Sequence, residues 1–456
     1  MKNKNRLTLE GVAPKIVKNY ACEDVDQTLQ LRNHLQPVID KYKLNTPCLL
    51  DFKVVKVLAS IEYNGVKIDK IELGRVEKQV LKGIASAEKV IEKYTKGNIN
   101  LASSVQLSKF LFEQLHLSPI GGKGKNGQYS VSKNVLTKLV GEHQIISALL
   151  DYRALTKVKT TFIKALKATH PTTGRLHTSF NLAVTATGRL SSSKPNLQNI
   201  PSKSVGKQLR AVFVPSTDHV FIGADYSNIE LRVVAHLSQD KNMLHSYRNK
   251  VDVHRWTASK IFNTEYSEIA KEGDSRRDVA KTVNFGLLYG MTAKGLSERL
   301  SREEEYYSPE QCQQFINDFF ELYEGIAKFR DGLIERATIK GYAETMVGRR
   351  RPLPELQSND TSKREAGKRK ALNTPIQGTA ADILKIAMVN IYSRIEQEKL
   401  SSKILLQVHD ELLIEVPKSE QDSMEKLVRY EMENAVTLSI PLKVDLKIGK
   451  SWQEVH

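Results

Sequence analysis

Cysteine is scarce in this sequence. The 456 residues include only Cys22, Cys48 and Cys312, which lie far apart and form no C-x-x-C pair. An odd, scattered set of this kind argues against a disulfide framework and against a cysteine zinc site, and it fits a reducing compartment. We therefore expect a cytoplasmic protein.

Long apolar runs are also missing. No stretch approaches the ~18 apolar residues of a membrane-spanning helix. The first residues, MKNKNRLTLEGVA, are basic but lack the apolar segment of a signal peptide. The sequence contains neither an internal repeat nor a low-complexity linker, so we expect a globular protein without membrane association.

Acidic residues are in deficit. Lys and Arg number 69 against 52 Asp and Glu, which gives a formal net charge of +17. The surplus is spread along the chain rather than gathered in a tail, and it favours a polyanionic partner, although ribosomal and other basic proteins share this property. Apolar residues make up 40% of the chain. The length suggests roughly two to four domains.

Helical patterns dominate the first third of the chain. In VQLSKFLFEQL (105–115) the apolar residues recur at helical spacing, and DYRALTKVKTTF (151–162) predicts a second helix. Arg153 and Lys157 in that helix are four residues apart and therefore share a face. The intervening GGKGKNGQYS (121–130) indicates a flexible basic loop or an ordinary solvated connector.

A strand followed by a helix is predicted in HVFIGADYSNIELRVVAHL (219–237). Val220 to Ala224 form an apolar strand that ends at Asp225, a position suited to a metal ligand. Ser227 and Glu230 have the spacing of a capping box, which predicts that the helix begins there.

In two further segments, side chains suited to ligand binding recur every four residues. In SRRDVAKTVNFGLLYGM (275–291) the row drifts only about 40° around a helix per step, and it comprises Arg277, Lys281, Phe285 and Tyr289. The pattern fits a ligand-binding face or a buried aromatic face with snorkelling cations. Gly290 would end the helix.

In the second segment, 368–388, the row comprises Arg369, Asn373 and Gln377, and Pro375 should kink the helix. Between them, 310–340 predicts one amphipathic helix.

The segment QVHDELLIEV (407–416) has the form of a β-hairpin with a charged tip. His409, Asp410 and Glu411 lie between two apolar runs. The residues alone leave open whether this tip is a surface turn or half of a metal site.

Seven segments resemble, in the family's order, the motifs of family A DNA polymerases, the DNA polymerase I type. They are TATGRLSS (185–192), PNLQNIP (195–201), DYSNIELR (225–232), RDVAKTVNFGLLYG (277–290), GRRRPLP (348–354), NTPIQGTAAD (373–382) and VHDE (408–411). Single motifs of this length are weak, but their ordered occurrence from Tyr20 to His456 is specific.

The resemblance implies an α+β fold in the form of a right hand, with an antiparallel palm sheet and helical fingers and thumb. The implied boundaries are an exonuclease-domain remnant at 1–50, a thumb with connecting helices at 51–170, a palm at 171–235 and 346–456, and fingers at 236–345.

The resemblance also implies a template-directed DNA polymerase that adds dNTPs to a primer 3′ end with two Mg²⁺ ions, for which Mn²⁺ can substitute. Asp225, Asp410 and the Tyr226 carbonyl would be the metal ligands. Glu411 would be a further catalytic acid, although a solvated turn acid fits it equally well. Magnesium needs few protein oxygens, so two carboxylates suffice.

The nucleotide site implied by the resemblance lies on the 275–291 helix. Arg277, Lys281 and His254 would bind the triphosphate, and Phe285 and Tyr289 would contact the sugar and the bases. Glu230 would exclude a ribose 2′-hydroxyl, and Asn228 replaces the family's usual glutamine beneath the nucleotide.

The implied partners are primer-template DNA and dNTPs, bound by a monomer. Residues similar to the family's duplex-binding residues are Arg189, Asn196, Gln198, Arg369, Asn373, Gln377 and His409 at the minor groove, and Arg153 and Lys157 on the thumb. Two departures from the family's pattern are Ser202-Lys203, where Val-Arg is usual, and an acidic stretch at 301–310.

The segment YACEDVDQTLQL (20–31) resembles the last motif of the family's 3′–5′ exonuclease domain, with Tyr20 and Asp24 in matching places. Only 19 residues precede it in this sequence, so we expect a remnant without its own proofreading activity. The alternatives that remain are a polymerase that also copies RNA templates and a non-catalytic DNA-binding relic.

Overall fold

The computed structural model describes residues 11–97, 99–124, 126–201, 205–301 and 306–456. Ser202-Lys203 and residues 302–305 of the acidic stretch at 301–310 lie outside the described residues. Within the described part no helix is long and apolar enough to cross a membrane.

Helices make up most of the described chain. The α-helices are α1 (Pro14–Lys41), α2 (Asn45–Asn64), α3 (Lys70–Thr95), α4 (Ser104–Lys109), α5 (Lys133–Lys138), α6 (Gln144–Lys157), α7 (Lys164–Leu166), α8 (Val205–Ala211), α9 (Ile229–Ser238), α10 (Lys241–Arg248), α11 (Val253–Ile261), α12 (Ser275–Leu288), α13 (Ala293–Leu300), α14 (Pro309–Leu322), α15 (Glu324–Lys340), α16 (Thr361–Gln397), α17 (Gln421–Glu433) and α18 (Trp452–Val455). Helix α4 continues as a π-helical turn at Phe110–Gln114, and α6 continues as one at Val158–Ile163.

The strands are short except in one sheet. They are β1 (Val66–Lys67), β2 (Arg175–Leu176), β3 (Ser179–Asn181), β4 (Ser191–Ser193), β5 (His219–Tyr226), β6 (Tyr342–Glu344), β7 (Arg350–Pro352), β8 (Lys403–Val408), β9 (Glu411–Pro417) and β10 (Val444–Gly449). The four longest form an antiparallel sheet in the order β10-β5-β9-β8, and the others form three separate pairs.

The central sheet is covered on both faces. Alternate residues of β5 and β9, such as Ile222 and Leu412, pack with α2, α16 and α17, and the opposite set, such as Phe221 and Leu413, packs with α3, α8 and α18. Side chains alternate between faces along a strand, so these nearly continuous apolar runs form two cores. The charged end of this sheet is therefore held by packing on both sides.

Two helical parts have cores of their own. Helices α9 to α15 enclose one apolar cluster, which also includes Ile376 of α16. The ends of α3 and α6 enclose a second cluster with the segment 107–139. The predicted α+β class with an antiparallel sheet and helical flanking parts is confirmed.

Helix α9 begins differently from the prediction. Its N-cap is Asn228, in a left-handed conformation at φ 54°, and no side chain caps the helix. The Ser227 N–H instead donates to the Lys443 carbonyl, and the Glu230 carboxylate pairs with Arg189. The predicted capping box was wrong, because tertiary partners take both groups.

The predicted single helix at 310–340 is also wrong. The chain breaks at Tyr323, whose φ and ψ of −119° and 63° end α14 and start α15. Tyr323 is fully buried and its hydroxyl hydrogen-bonds to Thr257, so a tertiary contact fixes the corner. Helix α16, in contrast, continues through Pro375.

Candidate active site

The end of β5 and the tip of the β8–β9 hairpin meet at one edge of the sheet. Asp225 lies opposite Glu411 in the antiparallel register, and the Tyr226 N–H donates to the Asp410 carbonyl at 3.3 Å. Asp225 and Asp410 are thus neighbours although they are far apart in sequence. The hairpin itself turns through His409, which has φ 55°.

A glutamine relay supports the hairpin tip, and the sequence analysis missed it. Gln198 donates to the Gln407 side-chain oxygen at 2.8 Å, and Gln407 donates to the His409 carbonyl at 2.5 Å. Gln407 is buried within β8. The available signal was a single amide inside the apolar run ILLQV, because a buried polar side chain needs partners.

The carboxylates at this edge repel one another. Loss of hydration and then the charges of Glu411 and Asp410 raise the pKa of Asp225 to about 6. Burial likewise raises the pKa of Asp410, although Arg189 and His409 oppose the shift. Crowded anionic oxygens are the donor set that a hard divalent cation would neutralise, so the residues fit such an ion. Within the described residues no group of three or more His, Cys, Asp or Glu side chains is arranged to hold a metal. The candidate side-chain ligands at this edge are therefore the two carboxylates of Asp225 and Asp410.

Arg189 lies between two acids of the site. Its guanidinium is 2.5 Å from Glu230 Oε1 and 4.0 Å from Asp410 Oδ1. Glu230 is buried, and burial raises its pKa to about 7 while Arg189 opposes the rise. Two of the predicted site residues are therefore bonded to each other.

Glu411 is not a solvated turn acid. It is 4% exposed, and its two oxygens accept hydrogen bonds from Trp452 Nε1 at 3.0 Å and from His456 Nδ1 at 2.7 Å. That reading of Glu411 was wrong, because α18 covers the start of β9.

The four-residue row on α12 is present, with one change at its end. Arg277 is paired with Asp252 at 2.9 Å, Lys281 is exposed and Phe285 is half-buried. Tyr289 lies just beyond the last helical residue, and Gly290 has φ 71°, as the predicted helix end requires. Asp274 caps the other end by accepting the Arg276 N–H.

His254 lies behind this row. It is 2% exposed, its Nδ1 bonds to Asn284 at 2.8 Å, and its ring is 5.8 Å from that of Phe285. Burial lowers its pKa to about 4, so the ring is neutral near pH 7. Its Nε2 is buried and has no hydrogen-bond partner among the described residues.

The polar row on α16 adjoins the end of α12. A Cβ built on Gly290 would lie 3.0 Å from Arg369 Cγ, so the two elements are in close contact. Arg369 is exposed, whereas Asn373 and Gln377 are half-buried. Asn196 is exposed, and its Oδ1 accepts the Asn199 N–H.

Arg153 and Lys157, the two residues predicted to bind DNA from the thumb, lie in different environments. Arg153 donates to the Val131 carbonyl at 2.5 Å, and burial lowers its pKa. Lys157 is exposed on the same helix. Neither residue lies with the sheet edge, because both are on α6 in the separate helical part.

A partly buried charge network lies behind Arg189, and the sequence analysis assigned it no role. Arg349 bonds to Asp51 at 2.8 Å and to Asp382 at 2.9 Å, and Lys385 bonds to Asp51 at 2.8 Å. A Cβ on Gly188 would lie 2.6 Å from Arg349 Cδ, so this network backs the loop that carries Arg189. The available signals were two of the family motifs, since GRRRPLP contains Arg349 and NTPIQGTAAD ends at Asp382.

The sequence model of DNA polymerase family A matches residues 70–454. This chain belongs to DNA polymerase family A. Among curated relatives, it is 42% identical to DNA polymerase I of Caldicellulosiruptor bescii over 405 residues, which is 88% of this chain and 46% of that protein. It is 37% identical to DNA polymerase I of Pseudomonas aeruginosa over 460 residues, which is 100% of this chain and 49% of that protein.

A solved family A structure has the same fold. The POL domain of Pol1 from M. smegmatis, in complex with DNA primer-template and dNTP, superposes with a TM-score of 0.87 at 36% identity and covers 94% of this chain and 74% of that one. The predicted right-hand polymerase fold is therefore confirmed. This family A chain spans about half the length of the curated relatives, with 46% and 49% of the two named proteins matched.

Proposed function

We propose that this chain is a template-directed DNA polymerase that extends a primer 3′ end with dNTPs and acts in DNA replication or repair. The observation that carries the proposal is the meeting of Asp225 and Asp410, joined by the hydrogen bond from Tyr226 to the Asp410 carbonyl. Family membership and the DNA–dNTP complex of the similar structure support it.

We assign the proposed Mg²⁺ ions to Asp225, Asp410 and the Tyr226 carbonyl. Bound there, divalent ions would stabilise the charge that develops on the attacking and leaving oxygens. The raised pKa values of both carboxylates support this assignment, because uncompensated anionic oxygens are crowded there. Glu411 is left out of the ligand set, since both its oxygens have protein partners.

The nucleotide would bind along α12. Arg277 and Lys281 suit phosphate as a fork and a point charge, and Asp252 fixes the Arg277 guanidinium in place. The buried Nε2 of the neutral His254, which has no partner in the described part of the chain, is the group that a phosphate or sugar oxygen would satisfy. Phe285 and Tyr289 would contact the sugar and bases, and Glu230 the ribose 2′ position above Asn228.

The duplex would lie against α16 and the hairpin tip. Arg189, Asn196, Gln198, Arg369, Asn373, Gln377 and His409 would contact the minor groove, whose acceptors occur in every base pair. A copying enzyme needs such a sequence-independent check. The domain boundaries stay part of this proposal, and the separate apolar clusters of α9–α15 and of the 107–149 segment support them.

We do not favour a proofreading activity in the residues present. Glu23 and Asp26 of α1 each accept a hydrogen bond from a glutamine four residues along the same helix. Asp24 projects from a different face of α1 than Asp26, so the three acids do not converge on one metal pair.

The experiment is extension of a labelled primer on a defined DNA template in Mg²⁺. Addition directed by each template base supports the proposal, and duplex binding without extension supports the non-catalytic relic. An RNA template in parallel tests the wider specificity. A mismatched primer without dNTPs tests proofreading, since steady 3′ shortening that is lost in Asp24→Ala would show that the remnant is active.

A further inference from the structure

Helix α18 lies directly on the strand that carries Asp225. A Cβ on Gly223 would lie 2.4 Å from the Val455 carbonyl oxygen, and one on Gly449 would lie 2.7 Å from Glu454 Cβ. Only glycine at these two positions allows the helix to approach so closely. Because residues two apart on a strand share a face, this approach brings α18 to the same face as Asp225.

The side chains of α18 and of the residue after it hold Glu411 from two sides. The Trp452 indole donates to Oε1 at 3.0 Å and the His456 imidazole donates to Oε2 at 2.7 Å. Arg210 stacks on the Trp452 ring at 4.3 Å and lies 4.0 Å from Glu411 Oε2, and Phe213 meets the same ring edge-on at 5.1 Å. The indole is fully buried, so its orientation is fixed by packing.

Glu411 lies directly across the strand pair from Asp225. Opposed residues in an antiparallel pair have Cβ atoms about 4.5–5.5 Å apart. Trp452 and His456 hydrogen-bond to both oxygens of Glu411, so the carboxylate is held near Asp225 while its oxygens are engaged by these two partners. Released from either bond, the carboxylate could take rotamers that move its charge away from Asp225 and from any ion bound there.

We propose that Trp452 and His456 are positioning residues of the polymerase site. They lock the Glu411 carboxylate beside Asp225, so that Glu411 contributes charge to the divalent-ion site without becoming a ligand. The inference rests on the proposed function and deepens it. Neither residue was singled out by the sequence, because WQEVH has no spacing that links it to the hairpin.

The test compares His456→Ala with His456→Asn. The Asn amide nitrogen can take the place of the imidazole Nδ1, so Asn keeps the bond that Ala removes. Mn²⁺ binding to the protein–primer-template complex is measured by the EPR signal of free Mn²⁺, and extension is measured against Mg²⁺ concentration. We expect His456→Ala to weaken Mn²⁺ binding and to raise the half-saturating Mg²⁺ concentration by about 10-fold, with His456→Asn near wild type.

Trp452→Phe gives an independent test, since it removes the N–H and keeps most of the ring. The matched control is Trp256→Phe, because the Trp256 Nε1 has no hydrogen-bond partner among the described residues. We expect the first variant, and not the second, to reproduce the loss of metal affinity. If Trp452→Phe does not fold, the His456 pair decides alone.

Action through Glu411 is tested in a double-mutant cycle. In a Glu411→Gln background, His456→Ala should have no further effect on Mn²⁺ binding. Full additivity, unchanged metal binding in His456→Ala, or tighter binding would each overturn the inference. Primer extension by the wild-type protein is measured separately. Its absence would contradict the proposed function, whereas the metal binding of the variants tests the roles of Trp452 and His456.

Discussion

Arg189 is paired with acidic side chains in the structure, although it is also proposed to contact the DNA minor groove. In the structure it bonds to Glu230 and approaches Asp410. Minor-groove contact by the same guanidinium would require at least part of this pairing to loosen. Arg189 thus connects the acid proposed to exclude a ribose hydroxyl with one proposed to bind metal.

Replacing Glu230 separates steric exclusion from charge. If the buried carboxylate fills the space of a 2′-hydroxyl, Glu230→Ala should raise ribonucleotide incorporation relative to dNTPs by about 10-fold or more. Glu230→Gln keeps the bulk and serves as the control. Single-nucleotide extension with rNTPs and dNTPs measures the selectivity of both variants. Equal selectivity in Glu230→Ala and wild type would show that Glu230 does not exclude the 2′-hydroxyl and only pairs with Arg189.

Asp225 should lower the stability of the metal-free fold. Its folded pKa of about 6 exceeds the ordinary value of 3.8, so the folded protein binds more protons across that interval and loses stability as pH rises through it. Asp225→Asn should therefore raise the Tm at pH 7.5 in EDTA, by on the order of 1–2 °C.

The same difference should shrink near pH 5, where wild-type Asp225 is largely protonated. Asp24→Asn, at an exposed acid of α1, should change little at either pH. Thermal unfolding followed by circular dichroism is the measurement. A lower Tm for Asp225→Asn at pH 7.5 would show that the carboxylate is not strained.

Helix α12 depends on its first turn. Asp274 caps the helix by accepting the Arg276 N–H at 3.0 Å, and Arg277 is the next residue. Asp274→Ala should fray this turn at a cost of about 1 kcal/mol and raise the KM for dNTPs, with duplex affinity unchanged. Asp360→Ala removes a similar cap from α16 and is the control. An equal effect of both variants on the KM would rule out a local role for α12.

Local patterns predicted the elements but not their tertiary partners. The hairpin, the α12 row and its end at Gly290 followed from periodicity and glycine. The α9 cap and the corner at Tyr323 did not, because distant residues such as Arg189, Lys443 and Thr257 determine them. Glu411 resembled a turn acid because its partners, Trp452 in α18 and His456 just after that helix, are 41 and 45 residues away.

Charge acts on the whole molecule. With a net charge of +17, duplex binding should weaken steeply with salt, at a log–log slope of about −0.9 for each phosphate neutralised. Lys157→Ala should reduce the slope by about 1, whereas Arg153→Ala should leave it unchanged, because Arg153 is committed to the Val131 carbonyl. Fluorescence anisotropy across a salt series measures the slopes of the wild type and of both variants.

A binding affinity that does not change with salt would exclude a basic duplex-binding surface. A reduced slope in Arg153→Ala would show that Arg153 leaves the Val131 carbonyl and binds phosphate.

The central claim is that Asp225 and Asp410, joined across β5 and the hairpin, hold the ions of a polymerase. The most direct test is single-turnover extension by Asp225→Ala and Asp410→Ala in Mg²⁺, with primer-template affinity measured on the same samples. Each variant should lose extension by several orders of magnitude and bind the duplex within a few-fold of wild type. Near wild-type extension by either variant would contradict the claim.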